Sequence, residues 1–332
     1  MQNSLMGLTK DMIRRNKDLW KWWMDRIKTL TDLKPTPSEI LSEVAASVPK
    51  ANEYIYQKDH AWPGIKLSIL AYYLDIYTNI AKNNFKEICY VDTFAGSGII
   101  HIKSGIDSVL LYGSPILSIL VPRENKKFSK YFFIDNDLKK SIVLERAVEV
   151  LHKRGLVDKS KVKILTADMN NIQYSDLLKE CAHSLVFVDP EGMEPKWTTI
   201  KSILELKTDV LFNFMTAGIR RVWGRAKSGG VGYESLNSFF GNNAWKHAEK
   251  EDKLLELYIN NVKNLNKVVL RIRVRGTKQF YYDVLVITRP TKGGNPWLQA
   301  VRKYLKPNVE KTDSNTFARL LKVFTGKVKP LM

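Results

Sequence analysis

Five short apolar runs set the strongest limit on what this chain can fold into: Ile88–Asp92, Tyr131–Asp135, Val162–Asp168, Ser184–Asp189 and Asp209–Met215. None alternates apolar with polar, so each predicts a strand buried on both faces, as in a parallel sheet covered by helices. Helical patterns such as Lys139–Arg154 and Trp197–Leu206 lie between them. Strand–helix alternation of this kind predicts a doubly wound α/β domain. Near the end, "VVLRIRVRG" and "QFYYDVLVITR" are joined by a Gly276-Thr277-Lys278 link and predict an antiparallel pair. A plain dinucleotide-binding sheet would stay parallel to its end.

The flanks read as helical. Trp20, Trp23, Met24, Ile27 and Leu30 share one face of a helix over 10–31, which predicts that Trp20 and Trp23 pack on the core. "KPTPSE" then breaks the chain, with Ser38 as the expected cap of a short second helix. A further helix covers about 64–83. The expected organisation is an N-terminal helical appendage (1–58), an α/β domain (59–290) and a basic helical C-terminal tail (291–332).

Four of the five runs end in an acid: Asp92, Asp135, Asp168 and Asp189. Carboxyl ends of parallel strands line the ligand crevice of an open α/β sheet. An unpaired carboxylate there is costly unless a ligand or a cap uses it. Asp92 opens "DTFAGSG", where Phe94 and Ala95 precede Gly96 and Gly98. Glycines after a strand let backbone approach a ligand closely. No Lys stands in this loop, as a phosphate cradle would want. The next helix is delayed past "IIHIKSGIDSVLLYG", to an expected start at Ser114 (cap) and Pro115. Asp135 suits ribose hydroxyls, with Asn136 beside it, and Asp168 and Met169 suit an adenine. An acid beside the glycine turn suits an amino-bearing ligand. Ribose, adenine and a cationic amino-acid tail together describe S-adenosylmethionine.

"YVDTFAGSG", "GSPILSIL", "YFFIDND" and "FVDPEGME…W", in this order over about residues 59–225, resemble the three-Cys-motif partner protein family. That family resembles class I S-adenosylmethionine-dependent methyltransferases, whose Rossmann-like sheet inserts its last strand antiparallel. The resemblance implies that Asp92, Phe94, Gly96 and Gly98 surround the methionine end of the cofactor, that Asp135 holds its ribose, and that Asp168 lies near its adenine. It also implies a partner carrying the cysteine motif. Where the family has an aromatic, this chain has Glu191. Base-amino methyltransferases want Asp/Asn-Pro-Pro-aromatic here, but Pro190 is followed by Glu191 and Gly192, so base N-methylation is not signalled. Asp189, Pro190 and Glu191 are the candidates to orient or deprotonate the nucleophile, with a surface-loop role as the alternative for Glu191.

The net charge is +19, with 53 Lys and Arg against 34 Asp and Glu, and favours a polyanion, nucleic acid first. Arg271, Arg273 and Arg275 alternate with apolar residues and share one strand face. They form either a phosphate-tracking stripe or a charged sheet edge. Arg220, Arg221, Arg225 and Lys227 surround Trp223 in a glycine-containing segment read as a loop that clamps a polynucleotide, or as a solvated loop. Cys89 and Cys181 sit in apolar runs; they read as unpaired packing residues and suggest the cytoplasm. No metal site is expected, and no apolar run is long enough to span a bilayer. A nuclease would want a carboxylate-x-Lys on a neighbouring strand, which is missing. The expected activity is methyl transfer to RNA or DNA; the alternative is a non-catalytic subunit of the same fold that scaffolds a partner or a nucleic acid.

Overall fold

The computed structural model describes residues 10–58, 62–104, 107–275 and 281–324. Among them are ten strands: β1 (Tyr56–Lys58), β2 (Ile88–Asp92), β3 (Ile99–Ser104), β4 (Asp107–Tyr112), β5 (Lys130–Asp135), β6 (Val162–Thr166), β7 (His183–Val188), β8 (Thr208–Phe214), β9 (Val268–Arg275) and β10 (Tyr281–Thr288). Seven form one sheet in the order β6-β5-β2-β7-β8-β10-β9. β2 pairs parallel with β5 and β7, and β5–β6 and β7–β8 are parallel as well. β10 runs antiparallel to both neighbours, β8 and β9. The protein has the class I methyltransferase sheet, with its last strand inserted next to last. The Gly276-Thr277-Lys278 link lies outside the described residues.

The five expected strands appear within two residues of their predicted ends. β2, β7 and β8 are buried throughout and β5 nearly so, but β6, at the sheet edge, has no fully buried residue, so the expected burial on both faces fails there. Tyr90, Leu185 and Phe187 enter one core, while their neighbours Val91, Val186 and Val188 enter the other. Each such side chain contributes roughly 1.5–3 kcal/mol relative to exposure. The covering helices are α1 (Lys10–Thr31), α2 (Pro37–Ala45), α3 (Trp62–Asn84), α4 (Ser114–Leu120), α5 (Leu138–Lys153), α6 (Tyr174–Leu177), α7 (Trp197–Glu205), α8 (Thr216–Lys227), α9 (Tyr233–Phe240) and α10 (Glu251–Lys263), with further helical turns from Pro296 to Phe324. The terminal additions meet: Trp23, fully buried, donates Nε1–H to Thr312 Oγ1 at 2.6 Å and packs edge-on against Phe317. Trp20 is half-buried against the same core.

Several local expectations are corrected. Thr36, not Ser38, caps α2: its hydroxyl accepts from the Glu39 amide while the Glu39 carboxylate accepts from the Thr36 amide, with Pro37 in the first turn. Gly113 is the cap position of α4, and Ser114 is its first residue. The delay before α4 is a hairpin, β3 with β4, and β1 adds parallel to β3 as a second, three-stranded sheet. The supposed loop at 218–232 is mostly α8; its interior glycines, Gly218 and Gly224, discouraged a helix reading but do not break it. Cys89 and Cys181 are not unpaired: they form a disulfide between β2 and the segment before β7, with Cα atoms 5.8 Å apart. The case for a reducing compartment therefore loses its basis. Among the described residues, no helix is long and apolar enough to cross a membrane.

Candidate active site

The chain passes from β2 outward to β5 and β6, then returns through α6 to β7 on the other side of β2. The β2–β7 boundary is therefore the topological switch point, and its carboxyl end is where ligands bind in open α/β sheets. Asp92 ends β2, and Asp189 immediately follows β7.

Asp92 is fully buried. Its carboxylate accepts from Tyr90 Oη at 3.2 Å and from the Phe94 amide at 3.3 Å. Burial pushes its pKa up to about 7; hydrogen bonds from Ser114 and the Phe94 amide oppose this, and the neighbouring Asp189 adds to it. The hydroxyl expected to cap α4 is thus turned onto the strand-end acid.

Beyond Asp92 the backbone turns twice through left-handed glycines, Gly96 at φ +60° and Gly98 at φ +78°. A Cβ on Gly96 would meet nothing within 4 Å, so this wall is open. A Cβ on Gly98 would lie 2.7 Å from Leu144 Cδ1, in the packed floor. Buried Ala95 donates its amide to Ile134 O at 2.9 Å. The Gly96 amide donates to Asp135 Oδ2 at 2.8 Å, and the Asp137 amide donates to Asp135 Oδ1 at 2.9 Å. Two amides thus orient the half-buried Asp135 carboxylate and leave each oxygen room for another donor. Asn136 is exposed, and Asp137 caps α5.

Asp168 is exposed, and its Oδ1 accepts from the amide and the side chain of Asn170, so it caps its own turn. Met169 behind it is buried. Asn170 ties this turn to the loop after β7: it donates to Glu194 O and accepts from the Lys196 amide and the Thr199 hydroxyl. Pro190 is buried, and Glu191 is exposed on that loop.

Two site residues were missed in the sequence. Lys66 of α3 places Nζ 2.6 Å from both oxygens of Asp189. Asn213 of β8, itself buried, donates Nδ2–H to Asp189 Oδ1 at 2.9 Å. The available signal was a lone charge inside the apolar run "PGIKLSIL" of a helix that packs on the sheet.

The arginine stripe does not stand free. Arg271 and Arg273 place Nε 2.7 Å and 3.0 Å from the Oδ1 of buried Asp283, and both reach Asp252. Arg275 is exposed at the strand end. Arg220 pairs with Glu251 at 3.1 Å. Trp223 is half-buried beneath Lys227, whose ammonium lies 4.7 Å from the ring centre and donates to Ala248 O. Arg221 and Arg225 are exposed, one helical turn apart on α8. Nearby, Lys246 lies over the exposed ring of Tyr233.

No protein-family model and no curated protein matches the chain. Among solved structures, it is similar to a Legionella pneumophila protein at 13% identity (73% of this chain and 92% of that one, TM-score 0.42). It is similar to an rRNA methylase from Streptococcus thermophilus at 9% identity (67% and 95%, TM-score 0.34). It is similar also to Trm1 from Pyrococcus horikoshii in complex with S-adenosyl-L-methionine at 11% identity (73% and 58%, TM-score 0.39). The fold assignment rests on the strand order and on antiparallel β10.

Proposed function

We propose that the protein is an S-adenosylmethionine-dependent methyltransferase acting on nucleic acid. The observation that carries the reading is the strand-end set at the switch point: buried Asp92, the open turn at Gly96, and Asp135 presented by two backbone amides. These residues fit the cofactor's parts. Asp135 keeps acceptor capacity for a pair of ribose hydroxyls. Gly96 lets a ligand approach the backbone without a side chain in the way. Asp92, costly to ionise when alone, is stabilised as a carboxylate by a cationic amino group. Bound there, the cofactor supplies an electrophilic methyl group on a sulfonium sulfur.

The chain's own contribution is positioning. Asp189, fixed by Lys66 and Asn213, follows β7 at the carboxyl end of the sheet, where the Lys66–Asp189 pair can orient the incoming nucleophile. Exposed Glu191 is two residues further along the chain. The net charge of +19 supports a polyanionic substrate, and exposed Arg221 and Arg225 with the Tyr233–Lys246 pair offer a surface for it. A partner bearing a cysteine motif rests on the motif resemblance.

Calorimetry with S-adenosylmethionine tests the reading, with Asp135→Ala as control. Wild type should bind at micromolar to low millimolar cofactor, and the variant more weakly. No binding at millimolar cofactor would end it. Incubation with methyl-labelled cofactor and total RNA, DNA or protein then separates an enzyme from a non-catalytic scaffold, which labels none.

A further inference from the structure

We infer that Lys66 and Asp189 select an oxygen nucleophile, the ribose hydroxyl of an RNA substrate. The inference rests on the methyltransferase reading above. Its starting point is the occupation of Asp189. Lys66 Nζ is 2.6 Å from both carboxylate oxygens, and Asn213 Nδ2 is 2.9 Å from one of them. Protein donors thus take three of the roughly four lone-pair directions of the carboxylate. A carboxylate filled in this way, with an ammonium against it, is a poor acceptor for the N–H of an attacking base amine. The loop agrees, since Pro190-Glu191-Gly192 offers no aromatic on which an extruded base could stack.

Charge development points the same way. A neutral amine attacking a methyl sulfonium gathers positive charge on nitrogen, which an adjacent ammonium opposes. A hydroxyl that gives up its proton gathers negative charge on oxygen, which the ammonium favours. Lys66 is placed to do this because its side chain is 18% exposed and that of Asp189 21%, so the pair meets both the crevice and solvent. An ammonium has three N–H groups, and two satisfy Asp189. The third can donate to the substrate hydroxyl. The hydroxyl oxygen forms its bond to the methyl carbon as the carbon–sulfur bond breaks, sulfur keeping the electron pair. The hydroxyl proton leaves to water at the mouth of the site. Asp189 holds Lys66 in place, and Asn213 fixes Asp189. Internal nucleotides of DNA carry no free hydroxyl, so an oxygen nucleophile within a nucleic acid means RNA.

The first test needs no cofactor. Fluorescence anisotropy compares RNA and DNA oligonucleotides of one sequence on wild type, Lys66→Met and Lys66→Arg. Wild type should prefer RNA by about fivefold or more, the size of one charge-assisted hydrogen bond at a part-exposed site. Lys66→Met should lose that preference and Lys66→Arg should keep part of it. If Lys66→Met fails to fold, Lys66→Gln carries the same expectation. A preference unchanged in a folded variant overturns the inference. The second test labels total RNA with methyl-labelled cofactor and hydrolyses it in alkali. Label should survive in alkali-resistant dinucleotides, because a methylated 2′-oxygen cannot attack the adjacent phosphate. Lys66→Met should bind cofactor as wild type does and lose about 10²–10³-fold in transfer. Label in alkali-labile nucleotides, in DNA or in protein, or no label in a protein that binds cofactor, overturns the inference and leaves cofactor binding standing. Failure of wild type to bind cofactor brings down the methyltransferase reading itself.

Discussion

The Gly96 amide donates to Asp135 Oδ2 at 2.8 Å, so the glycine turn after one strand is fastened to the acid ending its neighbour. One carboxylate thereby shapes the turn and faces the ligand. Removing it in Asp135→Ala should both loosen the turn and delete the acceptor for ribose. Calorimetry should show cofactor affinity reduced by about 10–100-fold, corresponding to one or two lost hydrogen bonds to a charged group. Asp135→Asn keeps an acceptor for the Gly96 amide and should lose less. Equal affinity in all three proteins would exclude Asp135 from the site.

The two loop glycines should respond differently to the same substitution. Gly98→Ala adds a left-handed Cβ 2.7 Å from Leu144 and 3.0 Å from Ile116, within a packed floor. Strain and overpacking add, and urea unfolding should show a loss of about 2–4 kcal/mol. Gly96→Ala meets only the backbone cost, about 1 kcal/mol, because nothing lies within 4 Å of the new atom. Its effect should instead appear in cofactor binding. A reversed order of stabilities would show that Gly96 is the packed position.

Asp209 forms a buried polar cluster at the opposite end of the sheet from the site. Trp297 Nε1 donates to it at 2.6 Å, Tyr73 Oη lies 3.4 Å away, and His183 Nε2 lies 3.9 Å away. Burial pushes Asp209 up to about 7, against hydrogen bonds from Trp297 and Tyr73 and the charges of Lys267 and Arg289. A carboxyl raised above its unfolded value stabilises the fold at low pH and loses that contribution as pH climbs from about 4 through 7. His183, pushed down to about 4 by burial and by Arg289, Lys267 and Lys207, acts with the opposite sign between about 4 and 6.5. Asp209→Asn removes only the first. The stability difference, variant minus wild type, should therefore rise by a few kcal/mol between pH 4.5 and 8 in urea unfolding. A constant difference would mean that Asp209 titrates normally.

What the sequence made legible follows from local physics. β2, β7 and β8 were readable because burial on both faces writes continuous apolar runs, and Asp92, Asp135 and Asp189 because each closes such a run. The hairpin of β3 and β4 was not, since its polar–apolar mixture around residues 101–107 is one-sided and short. Lys66 escaped because its partner is 123 residues away, and a single Lys in a helix ordinarily lies in solvent. The strand face of Arg271 and Arg273 was legible, but the buried Asp283 on the adjacent strand was hidden inside "YYDVLV". Only register shows that Asp283 sits opposite Arg273.

The Cys89–Cys181 pair was invisible for the same reason, its sequence separation being 92. A crosslink closing a loop of that length contributes about 4–5 kcal/mol by limiting the unfolded chain. Reduction, or the Cys89→Ala/Cys181→Ala double variant, should lower the melting temperature clearly while leaving cofactor affinity unchanged, since the bridge lies at the strand starts. Thiol titration of the denatured, unreduced protein should find no free cysteine. Two free thiols would place both residues back among ordinary core packing.

The basic residues divide into structural and available groups, and substitution should separate them. Arg273→Ala strips a partner from fully buried Asp283, which also accepts from Thr216 Oγ1 at 2.6 Å and from Arg271. Breaking one partner of a buried pair usually costs about 3–5 kcal/mol; Arg271 and Thr216 remain, so the loss should fall at or below the lower end of that range. Its effect on nucleic-acid affinity in the folded protein should be small. The Arg221→Gln/Arg225→Gln double variant touches no buried acid and should unfold as wild type does. It should instead weaken binding of single-stranded oligonucleotides and lower the slope of log affinity against log salt by about 0.7–0.9 for each phosphate no longer neutralised. An unchanged slope would remove α8 from the nucleic-acid surface. A slope lowered by Arg273→Ala without loss of stability would restore the arginine strand to that surface.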